Sequence, residues 1–275
     1  MTIDPYKLLG MTPVEMTQHL TRKDVILYAL GVGAAELDYV YERSLKALPT
    51  MAAVLAAPTI DWTAFGVDRR RVLHGEQFLE LAGPLPVEGL LRSETRCEAL
   101  IDKGRDKGAL AYFSRRLFDE SGRLLARTGT GAFLRGDGGF GGRAEGAPKP
   151  RAVPDRPPDI AVDLPTASNQ AMIYRLSGDL NPLHIDPDAA RYAGYERPIL
   201  HGLATYGVVG RALVAALCDG DPTRLKRMDA RFTAPVWPGE TIRTEIWRTE
   251  AGAAFRASTV GRRAPVLNNG HAELA

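Results

Sequence analysis

Gly136 to Pro158 reads GDGGFGGRAEGAPKPRAVPDRPP, and 11 of these 23 residues are Gly or Pro. A segment so poor in apolar side chains cannot bury enough surface to offset its ordering entropy, so it reads as a linker. It divides the 275-residue chain into two units, 1–135 and 159–275. Pro84-Leu-Pro-Val-Glu-Gly-Leu-Leu-Arg-Ser-Glu94 in the first aligns without gaps on Pro235-Val-Trp-Pro-Gly-Glu-Thr-Ile-Arg-Thr-Glu245 in the second, at an offset of 151 residues. An echo placed on both sides of a linker predicts two copies of one fold.

Each unit carries the same kinds of element. Gln77–Leu81, Leu90–Leu100, Ala109–Phe118 and Leu124–Leu134 alternate or run apolar as strands do, as do Arg227–Thr233, Thr241–Arg248 and Ala253–Val260. Thr21-Arg-Lys-Asp24 opens a helix as a capping box with Asp in place of Glu. Leu203–Cys218 is apolar on nearly every side, which marks a buried helix, and Gly220 can close it. The first unit has no equally long apolar helix. The expected class is α+β, a curved antiparallel sheet wrapped around a buried helix.

Composition narrows the function. Hydrophobic residues are 45% and charged residues 25% of the chain, values of a folded globular protein. Lys and Arg number 35 against 33 Asp and Glu, so the net charge of +2 supplies no general pull towards nucleic acid or an anionic membrane. The longest apolar stretch, 203–218, contains Arg211 and falls short of the ~20 residues of a membrane span. Cys97 and Cys218 form neither a metal spacing nor a disulfide framework. The first residues lack a secretory pattern and the terminal AELA is not a peroxisomal address, so a cytoplasmic setting is expected.

Several motifs fail. Gly31-Val-Gly-Ala-Ala-Glu36 puts a carboxylate where a dinucleotide fingerprint needs its third glycine. Asp179, Asn181, Asp186 and Asp188 lack the central Gly of a calcium loop, and Ala190 replaces its bidentate Glu. Asp179, His184 and His201 fit no common metal spacing. Neither a metal nor a cofactor is expected.

The informative stretch is Tyr174–Gly207, YRLSGDLNPLHIDPDAARYAGYERPILHGLATYG. Asp179, Asn181 and His184 fall within six residues, on a backbone made irregular by Ser177-Gly178 and Pro182. Asp186 and Pro187 are a helix start, with Gly194 as its stop. One reading is local: Asp179 and Asn181 bond their own loop and His184 is structural. The next turn offers another. His201-Gly202 leads into the buried helix, whose first amides are unpaired and carry positive partial charge suited to an oxyanion. An acid/base pair, an orienting amide and an oxyanion hole at Gly202, without an activated nucleophile, fit proton transfer beside a carbonyl.

These residues resemble a known signature. The run from Tyr174 to Ala190, with SGDLNPLH at its centre, is similar to the hydratase motif of MaoC-like, type 2 (R-specific) enoyl-CoA hydratases. HGLATYG, RFTAPVWPGETIRTEIW and VLNNGHAEL continue the likeness, as do RKDVILYALGVGA, YER and LPT in the first unit, so it covers nearly the whole chain after residue 20. The resemblance implies a double hot-dog fold with one complete site in the C-terminal unit. It also implies an N-terminal unit whose reduced central helix leaves room for the acyl chain. The implied reaction is reversible syn addition of water to trans-2-enoyl-CoA, giving (3R)-3-hydroxyacyl-CoA, in lipid metabolism such as β-oxidation.

Asp179 and His184 would share one water, with Asp179 as base and His184 as acid, Asn181 orienting it and the Gly202 amide meeting the thioester oxygen. Coenzyme A belongs to the substrate and no separate cofactor is implied. Lys226, Arg227 and Arg231 are candidates for its phosphates, and a homodimer is a possible assembly. His201 is expected to shape its turn, and His19, His74 and His271 have no partner motif. A silent acyl-CoA-binding subunit and a hot-dog thioesterase are the alternatives.

Overall fold

A computed structural model of the chain describes residues 3–275. In chain order the N-terminal part holds α1 (Pro5–Leu9), β1 (Val14–Leu20), α2 (Arg22–Gly31), α3 (Leu37–Val40), β2 (Val72–Leu81), β3 (Gly89–Asp102), β4 (Ala109–Asp119) and β5 (Leu124–Leu134). The remainder holds β6 (Ile160–Pro165), α4 (Gln170–Tyr174), α5 (Pro187–Tyr192), α6 (Gly202–Leu217), β7 (Leu225–Phe232), β8 (Thr241–Thr249), β9 (Gly252–Thr259) and β10 (Pro265–Leu274).

The strands form one antiparallel sheet in the order β1-β3-β4-β5-β2-β7-β10-β9-β8-β6. From each edge inward the two halves follow the same path, first strand, third, fourth, fifth, second, and they join where β2 pairs with β7. The echo seen in the sequence lies in equivalent strands. Leu91 and Ser93 of β3 are buried while Arg92 points out, and Ile242, Thr244 and Arg243 of β8 repeat the pattern. Glu94 sits opposite Arg116 on β4 and Glu245 opposite Arg256 on β9, with ion pairs of 2.5 and 2.6 Å.

The helices differ between the halves. α2 begins at the expected capping box, with Thr21 and Asp24 bonded reciprocally. The segment before β2 is built from 3₁₀ turns at Pro49–Ala53, Trp62–Phe65 and Arg69–Arg71, whereas the 16-residue α6 precedes β7. α6 is therefore the one long central helix among the described residues. Its buried face meets α2 and the Pro49–Ala53 turn as well as its own strands. Arg211, the only charge on α6, donates to the Val32 carbonyl and to Glu36, the residue that spoils the dinucleotide pattern.

Residues 136–158 contain no helix or strand, yet they are held down. The Asp102 carboxylate accepts from the amides of Gly139 and Gly141 at 2.7 and 2.8 Å. Trp247 Nε1 donates to the Arg156 carbonyl and Asn269 Nδ2 to the Arg151 carbonyl, both at 2.8 Å. Hydrogen bonds to its backbone order a segment that apolar burial alone would not.

Candidate active site

The catalytic-type residues sit on the loop between α4 and α5, and its own hydrogen bonds fix it. Gly178 takes φ +116°, a conformation open to glycine. Asp179 Oδ1 accepts from the Asn181 amide, and Asn181 Oδ1 accepts from the Leu183 amide, each at 3.1 Å, opening the 3₁₀ turn Pro182–His184. The local reading of Asp179 and Asn181 is thus correct for one atom of each. It leaves Asp179 Oδ2 and Asn181 Nδ2 for other work. Asp186 caps α5, accepting from the Asp188 amide at 2.8 Å.

His184 is buried, 8% exposed, while Asp179 is 54% exposed. His184 Nδ1 lies 2.8 Å from the Ile199 carbonyl, so Nδ1 carries the proton and Nε2 presents a lone pair. That Nε2 faces Asp179 Oδ2 at 3.9 Å. The gap is too long for a direct hydrogen bond and suits one water bonded to both. Burial pulls the His184 pKa below its ordinary 6.5, against the opposing pull of the Ile199 carbonyl and the Asp179 charge.

His201, the residue before α6, holds this pair in place. Its ring stacks on His184 with centroids 3.7 Å apart at 26°, and Nε2 donates to the Asp179 carbonyl at 3.1 Å. Burial, then the neighbouring His184, push its pKa down. Asp179, His184 and His201 bring ligand atoms within 4.8 Å of one another. Near-parallel rings, however, aim their in-plane lone pairs side by side instead of at one point, a poor arrangement for a metal ion.

The start of α6 completes the site. His201 makes no side-chain cap bond, and the amides of Gly202, Leu203 and Ala204 find no protein acceptor among the described residues. Asp179, Asn181, His184 and Gly202 line one cavity of about 380 Å³, together with Leu203, Thr205, Phe232 and Val266. All four expected residues therefore meet in one place.

The candidate phosphate contacts and one histidine take places of their own. Arg227 and Arg231 alternate with the inward-facing Met228 and Ala230, so they point to the opposite face of the sheet. There Arg227 pairs with Asp229 at 2.7 Å and Arg231 with Glu76. Neither they nor Lys226 lines the cavity. His74, read as bland, does line it, beside Val72 and Leu73 of β2. Its signal was Gly75: a glycine inside a strand pattern marks a bulge.

Comparison with known proteins follows the same two halves. Residues 19–136 match the MFE-2 hydratase 2 N-terminal domain and residues 150–269 the MaoC like domain. The 3-hydroxyacyl-thioester dehydratase Y of Mycobacterium tuberculosis is 46% identical over 95% of this chain and 93% of its own. The chain belongs to the MaoC-like hydratase 2 family. A second family member, the probable enoyl-CoA hydratase 2 of Dictyostelium discoideum, is 44% identical over 90% of this chain and 88% of its own. The crystal structure of a MaoC-like dehydratase from Phytophthora capsici superposes with a TM-score of 0.90 at 33% identity, covering 99% of both chains. The fold of this MaoC-like chain is the expected double hot-dog.

Proposed function

We propose that this chain is a hydro-lyase that adds water reversibly to trans-2-enoyl-CoA, giving (3R)-3-hydroxyacyl-CoA. Relatives named enoyl-CoA hydratase 2 and 3-hydroxyacyl-thioester dehydratase support the reaction in its two directions. The observation that carries it is the 3.9 Å gap between Asp179 Oδ2 and His184 Nε2, in the cavity that the start of α6 also lines.

The proposed chemistry follows from that gap. One water donates its two hydrogens to Asp179 Oδ2 and His184 Nε2, leaving an oxygen lone pair for C3 of the enoyl group. Asn181 Nδ2 is free to orient it. As the C3–O bond forms, negative charge moves to the thioester oxygen, which accepts from the Gly202 amide; such a donor is worth about 10² to 10³ in rate. Asp179 as base and His184 as acid would need a proton on Nε2 at the outset. The Nδ1 proton held by Ile199 favours a different sequence: Nε2 takes the water proton, and the imidazolium, steadied by the Asp179 carboxylate, returns it to C2 on the same face.

This scheme calls on no metal or separate cofactor. Buried free thiols at Cys97 and Cys218 favour a reducing, cytoplasmic setting. Among the described residues no helix is long and apolar enough to cross a membrane. A homodimer is the proposed assembly, favoured by the exposed Met172 on α4 and Leu176 and Leu180 on the catalytic loop. Incubation with crotonyl-CoA tests the reaction. Loss of the conjugated enoyl absorbance without free thiol supports hydration; release of thiol, or no change with any enoyl-CoA, overturns it.

A further inference from the structure

The catalytic cavity is not built by the C-terminal unit alone. β2 belongs to the N-terminal unit, and its pairing with β5 shifts between His74 and Glu76, leaving Gly75 as the extra residue. A side chain at Gly75 would meet the Gly131 carbonyl at 3.2 Å, so the bulge is tight. The insertion reverses the alternation of faces. Glu76 points to the far side of the sheet, where it pairs with Arg231, while His74 turns inward with Val72 to line the cavity.

There His74 meets Phe232 of β7, ring centroids 4.8 Å apart at 60°, an edge-on contact. Phe232 in turn lies against Gly202: a Cβ on that glycine would be 3.2 Å from the ring. One chain of contacts thus runs from the N-terminal unit, through two rings, to the amide proposed to hold the thioester oxygen. His74 Nε2 lies 3.1 Å from the Glu76 carbonyl, which engages that nitrogen in a fixed bond, and the ring makes no hydrogen bond to Asp179 or His184. Its surroundings favour an uncharged wall over a proton carrier.

We propose that His74 is a positioning residue that sets acyl selectivity. By bracing Phe232 against Gly202 it fixes the width of the cavity beside the thioester and favours straight over branched enoyl chains. This rests on the hydratase reading above. A ring edge in an apolar wall discriminates as a few methylenes would, about tenfold or more in kcat/KM.

The test compares crotonyl-CoA with an enoyl-CoA branched at C4, as kcat/KM across pH, in wild type, His74→Ala, His74→Phe and Phe232→Leu. His74→Ala should lower the straight-to-branched preference at least tenfold, chiefly through KM, with an unchanged pH profile. His74→Phe should restore the wild-type preference. Phe232→Leu should reproduce the loss, and adding His74→Ala to it should change little more, because the two rings act as one unit. An unchanged preference in folded His74→Ala overturns the proposal. So does additivity of the two changes, or a pH profile altered by His74→Phe, which would make the imidazole a proton carrier. If His74→Ala does not fold, Phe232→Leu and His74→Phe still decide. Wild type inactive on every enoyl-CoA would bring down the hydratase reading itself; an active wild type with indifferent variants removes only the role of His74.

Discussion

Gly207→Ala probes how α6 serves both halves of the molecule. Gly207 lies mid-helix, where alanine would ordinarily stabilise by about 1 kcal/mol. Here an added Cβ falls deep inside van der Waals contact of Val32 Cγ1 and 3.1 Å from Tyr28 Oη, both on buried residues of the N-terminal unit. Val32 is β-branched and fully enclosed, so it has little room to turn aside. Forcing a methyl group into such a place costs roughly 1–3 kcal/mol, which outweighs the gain in helix propensity. The expected net loss is about 1 kcal/mol, a fall in Tm of about 2–4 °C. Thermal and denaturant unfolding followed by circular dichroism measures it. Combining the change with Val32→Ala should recover most of the coupling, since the clash is pairwise. A Tm raised by Gly207→Ala would mean that α6 does not press on the N-terminal unit as described.

Other consequences concern acid stability and domain independence. Burial lowers the His74 pKa to about 4 from 6.5, and His184 and His201 shift the same way. Between those values the unfolded chain binds more protons, so stability is full above pH 6.5 and is lost as pH falls towards 4. The slope reaches about 1.4 kcal/mol per pH unit for His74 alone. Denaturant midpoints across that window should show this decline, shallower in His74→Phe; a flat profile would contradict the burial of these rings. Residues 159–275 expressed alone should be neither stable nor active, because β7 loses its pairing with β2 and α6 its contacts with Val32 and Thr50. A soluble, active fragment would show that the C-terminal unit is self-sufficient.

Much of this was legible in the residues because local and tertiary demands coincide. The echo at offset 151 reports a shared inward and outward register on β3 and β8, and Leu203–Cys218 matched α6 to within a residue. β1 and β6 went unread because they are edge strands with few buried residues. β10 went unread because a register shift at Asn269-Gly270 interrupts its alternation. The site was legible where its residues are close in sequence, Asp179 to His184 and then Gly202. His74 was not, since Gly75 can signal a bulge but nothing local records that the ring then faces a cavity whose catalytic loop lies 105 residues further along the chain. The place of the basic residues of β7 was open for the complementary reason. Their charge was visible, but not the face they occupy or the partners Asp229 and Glu76 that take it up.

Asp179 and His184 are proposed to activate one water jointly for attack on an enoyl thioester. The most direct measurement of this is the turnover of crotonyl-CoA, with the configuration of the product, in wild type, Asp179→Ala and His184→Ala, each shown to be folded by its unfolding transition. Wild type should yield the 3R alcohol, and each substitution should lower kcat by about 10² or more, the usual size of lost acid-base help. Near-normal turnover in either folded variant, or a 3S product from wild type, would contradict the account.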